Sequence, residues 1–332
     1  MDGVTDAAFR QITARLSHPD LMFTEFVTVE GVARGALRPL EAFRYTAVER
    51  PIVAQVYGTE VASFRVLAQI VAALGFDGLD INMGCPAKKV VHRGAGAGLI
   101  LNPPLAAEII AACRLGLDDW ANGMSLADLP VRDKVKQQIE LYRQAAGVTD
   151  DLTRNTLPLS VKTRIGYDQP VIEEWFGWLA TQPLAMISIH GRTLKQQYTG
   201  EASWEQIATA ARVIKQANPT ILVVGNGDVS SRPEALEHAQ RYGVDGVLVG
   251  RAALGNPWVL TDHVPTADER RAVAIEHAQL FAELFPPQAF SAFRRHLAAY
   301  IKSMPNASAI RSQLMQVTDA ASVARILNSR TI

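Results

Sequence analysis

The sequence predicts an α/β fold: a (β/α)8 barrel of the TIM type that lacks its first strand, followed by a C-terminal helical domain. Short apolar runs rich in β-branched residues alternate with helical patterns up to about residue 262. Polar residues gather where those runs end, and the alternation stops near residue 265. Strand alternating with helix builds a parallel sheet with covering helices, and in such sheets ligands sit at the carboxyl ends of the strands.

The runs are LMFTEFVTV (21–29), PIVAQVYG (51–58), GLDINMG (78–84), LSVKTRIG (159–166), MISIHGR (186–192), ILVVGNGD (221–228) and GVLVGRA (246–252). Near-continuous apolar segments such as ILVV suit strands buried on both faces. Between the runs, VASFRVLAQIVAALG (61–75), WEQIATAARVIKQA (204–217) and RPEALEHAQRYG (232–243) carry apolar residues at helical spacing. A first helix is expected around Thr5 to Leu16 with no run before it, which leaves the strands one short of a closed barrel. Residues 116–150 are polar, contain a helix expected from Arg132 to Ala146, and read as an insertion. From about 265 to 332, ERRAVAIEHAQLFAELF, AFSAFRRHLAAYIKSM and AIRSQLMQVT are amphipathic, with breaks at FPPQ and MPNAS.

Composition narrows the function classes. The 332 residues carry 33 Lys/Arg against 33 Asp/Glu, so no global field draws the chain to nucleic acid or membrane, and any polyanion site is local. Only residues 265–332 lean basic, with eight Lys/Arg against five Asp/Glu. Two cysteines exclude a disulfide framework and point to a cytoplasmic location. No window reaches the ~18 apolar residues of a membrane span, so no membrane partner is expected. Metal-ligand spacing is absent as well.

The strand ends supply Gln55, Asn82, Cys85, Lys162, Arg164, His190, Arg192, Asn226, Gly227, Asp228, Gly250 and Arg251. Each alone reads equally well as a rim salt bridge, a satisfied core histidine or a turn glycine; so many on one face point to a ligand site. VGNGDV and VGRAAL set Gly225, Gly227 and Gly250 where backbone N–H groups and Arg251 make an anion site, as phosphate sites do after the last barrel strands. Cys85, between Gly84 and Pro86, lies in a loop where packing explains it poorly. Cys113, in AAEIIAACRLG, reads as core.

These residues resemble the tRNA-dihydrouridine synthases of bacteria, which are FMN-dependent enzymes. The likeness runs in order through MDGVTDAAFR, VAQVYG, DINMGCPAKKV with GAGAGLI, SVKTRIG, IHGRT, GNGDV and VGRAALGNPW. It implies reduction of specific uridines in tRNA to 5,6-dihydrouridine, with hydride from reduced FMN to C6, a proton from Cys85 to C5, and NADPH or NADH as reductant. By the same likeness Gln55, Lys162, His190, Asn226, Gly227, Asp228, Gly250 and Arg251 hold FMN. Asn82, Arg164 and Arg192 face the substrate, and no protein partner is implied. Residues 1–262 are then the catalytic barrel and 265–332 a tRNA-binding domain. Family members carry a strand ending in proline just ahead of the position of Met1, and the chain is expected to lack it. Other readings are an FMN-dependent reductase of a free pyrimidine and a truncated, non-catalytic RNA-binding descendant.

Overall fold

The strands run β1 (Met22–Thr28), β2 (Ile52–Tyr57), β3 (Gly78–Met83), β4 (Leu159–Arg164), β5 (Met186–His190), β6 (Leu222–Asn226) and β7 (Gly246–Leu248). They form one parallel sheet in chain order, with β1 and β7 as its edges. The computed structural model describes residues 1, 3–149, 154–197, 199–302 and 304–329; the end of the expected insertion at Asp150 and of the tail at 330–332 lie outside them. The sheet curls part-way to a barrel. Its two edges approach the same N-terminal segment: the Val4 N–H donates to Glu25 of β1 at 3.0 Å, and Met1 lies beside Gly250 just after β7.

The helices are α1 (Ala7–Ser17), α2 (Val29–Ala33), α3 (Val61–Ala73), α4 (Lys88–Val91), α5 (Pro103–Ala121), α6 (Asp133–Ala146), α7 (Ile172–Leu179), α8 (Trp204–Ala217) and α9 (Arg232–Tyr242). The tail adds α10 (Ala267–Leu284), α11 (Phe290–Tyr300), α12 (Ala307–Leu314) and α13 (Ala320–Leu327). Several starts are capped as their sequences require: Ser203 for α8, Ser231 for α9, and a capping box of Thr266 with Glu269 for α10. Helix α5 runs on to Ala121, so residues 116–121 continue a barrel helix. Helix α6 docks on the sheet's outer layer through Val135 and Ile139, both fully buried.

Successive strand side chains point to opposite faces. Ile52, Ala54, Val56, Leu79, Ile81, Met83, Val161, Ile187, Ile189 and Val223 face outward and share one core with the surrounding helices. The opposite face carries Gln55, Asp80, Asn82, Ser160, Lys162, Arg164, Ser188, His190 and Asn226. A typical barrel interior is filled with branched apolar side chains; this one is polar through the middle strands.

A second core joins α1 to the tail: Ala8 and Ile12 pack with Trp258, Ala274, Phe281, Phe293, Leu297 and Tyr300. Arg10, on the same helix, reaches the other way. Its guanidinium donates to buried Glu49 at 2.7 Å and to the carbonyls of Thr5 and Arg44. Among the described residues no single helix is long and apolar enough to cross a membrane.

Asp6 caps α1 by accepting the Phe9 N–H at 2.9 Å, and its other oxygen is 3.7 Å from Nε2 of buried His296 on α11. Burial pushes the Asp6 carboxyl up to about 6, above the usual carboxylate range. The folded chain therefore retains a proton that the unfolded chain has lost, and stability falls as pH rises through that window. Asn caps a helix equally well and carries no charge. Asp6→Asn is expected to gain about 1–3 kcal/mol at pH 8 and clearly less at pH 5. Denaturant midpoints at the two pH values measure this, and an equal gain at both would exclude the buried charge as its source.

Candidate active site

The site is a ladder of polar side chains across the inner face. Parallel register sets Gln55 beside Asp80, Asp80 beside Ser160, Asn82 beside Lys162, Lys162 beside Ser188, and Arg164 beside His190. Asp80 is wholly buried; its carboxylate accepts from Gln55 Nε2 at 2.8 Å and from the Ser160 hydroxyl at 2.6 Å. Gln55 Oε1 accepts from Asn82 Nδ2 at 2.8 Å. The Gln55 backbone N–H is held by Thr24 Oγ1 of β1 at 3.0 Å.

Cys85 follows β3 at the sheet's carboxyl end and is nearly buried. Its loop is gripped from several directions. Asn82 Oδ1 accepts the N–H groups of Gly84 at 3.1 Å and Cys85 at 2.8 Å, as a short polar side chain does in an Asx turn. Arg164 Nε donates to the Gly84 carbonyl at 2.8 Å, and the Ala97 N–H to the Cys85 carbonyl at 3.2 Å. Gly96 has φ +58, and a Cβ there would lie 2.8 Å from the Cys85 oxygen and 3.0 Å from its Cβ. The run GAGAGLI therefore lets its own 3-10 turn press against the cysteine loop. Neither Cys85 nor Cys113 forms a disulfide, and Cys113 is fully buried within α5.

Electrostatics differ along the ladder. Burial pushes the Lys162 ammonium down to about 8, and Arg164 adds to this while Asp80 and Cys85 oppose it. Burial pushes Asp80 up to about 6, against its bonds from Ser160 and Gln55. Burial also drives His190 down to about 2, with Lys162, Arg164, Arg192 and Arg251 in support, so its ring is neutral at any working pH. The Arg192 guanidinium lies 3.4 Å from His190 Nε2. A cation only donates, so Nε2 accepts and the ring proton sits on Nδ1.

The last strands end in an ion-paired rim. Asp228 adopts φ +55 after Gly227 at φ +141. Its carboxylate takes Arg192 at 2.5 Å, Arg251 at 2.6 Å and the Ala202 N–H at 2.8 Å. Burial works against that carboxylate, but these partners hold it below the usual range. Asn226 Nδ2 ties β6 to β7 through the Leu248 carbonyl at 2.8 Å. Trp204 braces the turn from behind by donating to the Gly227 carbonyl at 3.0 Å. The Ser188 hydroxyl and Arg192 Nε are buried without a hydrogen-bond partner among the described residues.

The twelve residues singled out in the sequence thus all lie on this face or its rim. They differ in availability. Arg164 and Arg192 are 2% exposed and direct donors to backbone carbonyls or to Asp228, whereas the Arg251 side chain is 59% exposed. A neighbouring cleft of about 390 Å³ opens at the carboxyl ends of β1 and β2, lined among others by Asp6, Glu25, Phe26, Arg38, Tyr57 and Phe285.

A family model described as dihydrouridine synthase (Dus) matches residues 1–140 and 129–331, essentially the whole chain. The chain belongs to the dihydrouridine synthase family. A probable tRNA-dihydrouridine synthase of Staphylococcus epidermidis is 31% identical over 99% of this chain and 91% of its own length. One from Staphylococcus aureus is 32% identical over 99% and 90%, and a probable tRNA-dihydrouridine synthase 2 of Bacillus subtilis 31% over 99% and 91%.

For this member of the dihydrouridine synthase family, sequence reasoning passed over Asp80, Ser160, Thr24, Gly96 and Trp204. Asp80 did carry a signal: aspartate is depleted in strand interiors, so its place inside GLDINM asked for a partner. The others are ordinary residues until the fold supplies their neighbours. Gly96→Ala is expected to displace the cysteine loop and change the rate of Cys85 alkylation by iodoacetamide several-fold. Gly98→Ala, whose Cβ would meet only Val91 at 3.3 Å, should change it little. Indistinguishable rates for the two variants would mean that Gly96 does not seat the loop.

Proposed function

We propose that this protein reduces uridine in tRNA to 5,6-dihydrouridine, with FMN as cofactor and NADPH or NADH as reductant. The observation that carries the reading is the Cys85 thiol held over a polar, partly desolvated strand face in a chain that matches this family along its whole length. The names of the relatives support tRNA as substrate.

The residues present suit FMN. Ser188 Oγ and Arg192 Nε are buried polar atoms still able to hydrogen-bond a ligand, and the inner face offers an amide, an ammonium and a neutral imidazole. Gln55, Lys162 and His190 would meet the ring system; Asn226, Gly227, Asp228, Gly250 and Arg251 would hold the phosphate end. Bound there, the cofactor supplies the hydride that adds to C6 of the uracil. Lys162 would offer its ammonium to the electron-rich side of the ring system, and raising the pH through about 8 removes the ammonium's charge in the ligand-free protein. Hydride addition leaves enolate-like charge over C5 and O4, and Cys85 delivers the proton to C5 as general acid, regaining it from solvent. Asn82 keeps Cys85 in place through the two N–H groups it accepts, and Arg164 and Arg192 stiffen the wall against which the base would rest.

The helical tail from about 265 to 332 is proposed as the tRNA grip. Arg295, Lys302 and Arg311 are exposed there. Arg295 lies against Gly3, on the N-terminal segment whose Met1 reaches the barrel rim at Gly250. Arg294 is engaged otherwise: its Nε donates to the Val317 carbonyl at 3.0 Å and ties α11 to the turn before α13. Lys88, Lys89, His92 and Arg93 form an exposed basic cluster on and after α4, beside Cys85.

Cys85→Ala is expected to retain flavin and to lose ~10²–10⁴-fold in dihydrouridine formation on unmodified tRNA, the usual worth of a general acid. A variant working at the wild-type rate would remove Cys85 from that role. Replacing Arg295, Lys302 and Arg311 together with Ala should weaken tRNA binding and flatten its log–log salt dependence by about 2 units, leaving flavin content unchanged. An unaltered slope would move the grip to the cluster around Lys88.

A further inference from the structure

We infer that Asp80, Gln55 and Asn82 form a hydrogen-bond chain of fixed polarity that seats the Cys85 loop, with the buried Asp80 carboxylate as a positioning residue at its acceptor-only end and the loop N–H groups at its donor-only end. The inference rests on the proposed role of Cys85 for its bearing on catalysis, but its geometry stands apart from the substrate.

A side-chain amide has a donor end and an acceptor end, and the two are nearly isosteric. Gln55 and Asn82 could each be turned over without changing their shape. Asp80 at one end and the Gly84 and Cys85 N–H groups at the other remove the choice. An ionised carboxylate accepts only, so the group 2.8 Å from its Oδ2 must be the Gln55 NH₂. Gln55 Oε1 then points along the sheet and accepts from Asn82 Nδ2 at 2.8 Å. That leaves Asn82 Oδ1 toward the backbone N–H groups of Gly84 and Cys85. Turned over, Asn82 would set donor against donor at both, and the loop would lose the contacts that hold it. Ser160 satisfies the carboxylate's second oxygen at 2.6 Å, and Thr24 fixes the Gln55 backbone, so the chain starts from anchored groups. The carboxylate is fully buried, and its burial-raised pKa of about 6 leaves it ionised at pH 7.5.

Polarity of this kind has a signature that simple packing lacks: it can be reversed as a unit. Asn82→Asp puts an acceptor opposite Gln55 Oε1, and Gln55 can turn to meet it only by facing Oε1 to Asp80, acceptor against acceptor. Asp80→Asn alone keeps the native order, because the amide it introduces can offer its oxygen to Gln55 and its NH₂ to Ser160 Oγ, which then accepts. In the double variant, that amide can instead donate to the turned Gln55.

The experiment measures Cys85 alkylation by iodoacetamide at pH 7.5, together with FMN retention, in the wild type, N82D, D80N and the N82D/D80N pair. Asp80→Asn is expected to match the wild type within about twofold. Asn82→Asp should shift the alkylation rate by about tenfold, the ratio that one lost hydrogen bond of ordinary worth corresponds to, and the pair should recover most of it. A double variant no better than N82D overturns the inference, as does an N82D rate equal to the wild type. Should N82D fail to fold, a soluble, flavin-retaining double variant supports the inference and an insoluble one overturns it. These readouts do not use tRNA, so they stand or fall separately from the proposed reaction; dihydrouridine formation by the same proteins tests that reaction.

Discussion

Every functional side chain of the sheet hangs on one constraint, the parallel register from β2 to β5. Because side chains alternate between faces, setting Gln55 beside Asp80 and Asn82 beside Lys162 also commits Ala54, Leu79, Ile81 and Val161 to the outer core. A slip of one residue in any strand would carry charged groups into that core and apolar groups into the site. The hydrophobic energy that fastens the helices to the outer face is therefore what holds a lysine, an aspartate and a histidine together on the inner one. Their shifted ionisation follows, since burial is the first cause for all three.

The cysteine loop shows how little of the site depends on the cysteine itself. Its carbonyl, its N–H and the neighbouring carbonyl of Gly84 are each held by a different element: the 3-10 turn after Gly96, the end of β3 and the end of β4. Arg164 illustrates the economy of the arrangement. It has the residue type expected of a substrate contact, yet it is nearly buried and braces the backbone that carries the thiol. The opposite rim is built differently, from the ion pairs of Asp228 with Arg192 and Arg251 around a glycine turn backed by Trp204.

Helix α1 couples the sheet to the tail. One side enters the second core with α10 and α11, while Arg10 reaches back to Glu49. The seam contains two buried histidines. His277 bonds the Tyr300 hydroxyl at 3.1 Å through Nδ1, and His296 lies between Phe293, Phe9 and Asp6. Burial lowers the pKa of both rings, so they pack as neutral aromatics.

The sequence by itself determined the alternation of strand and helix, the helical tail and the residues at the strand ends. These are local signals: apolar periodicity, caps and glycine turns are written in neighbouring positions, and the motif from Asp80 to Val90 is continuous in the chain. Only the tertiary structure decided what those residues do to one another. Asp80 and Ser160 lie 80 positions apart and meet because two strands pair in register. Arg164 turns to the loop of Cys85, and Arg294 to the carbonyl of Val317, because folding brings those backbone acceptors within reach. Residue type announces a charge or a donor; which partner consumes it is fixed by distances that no single stretch of sequence contains.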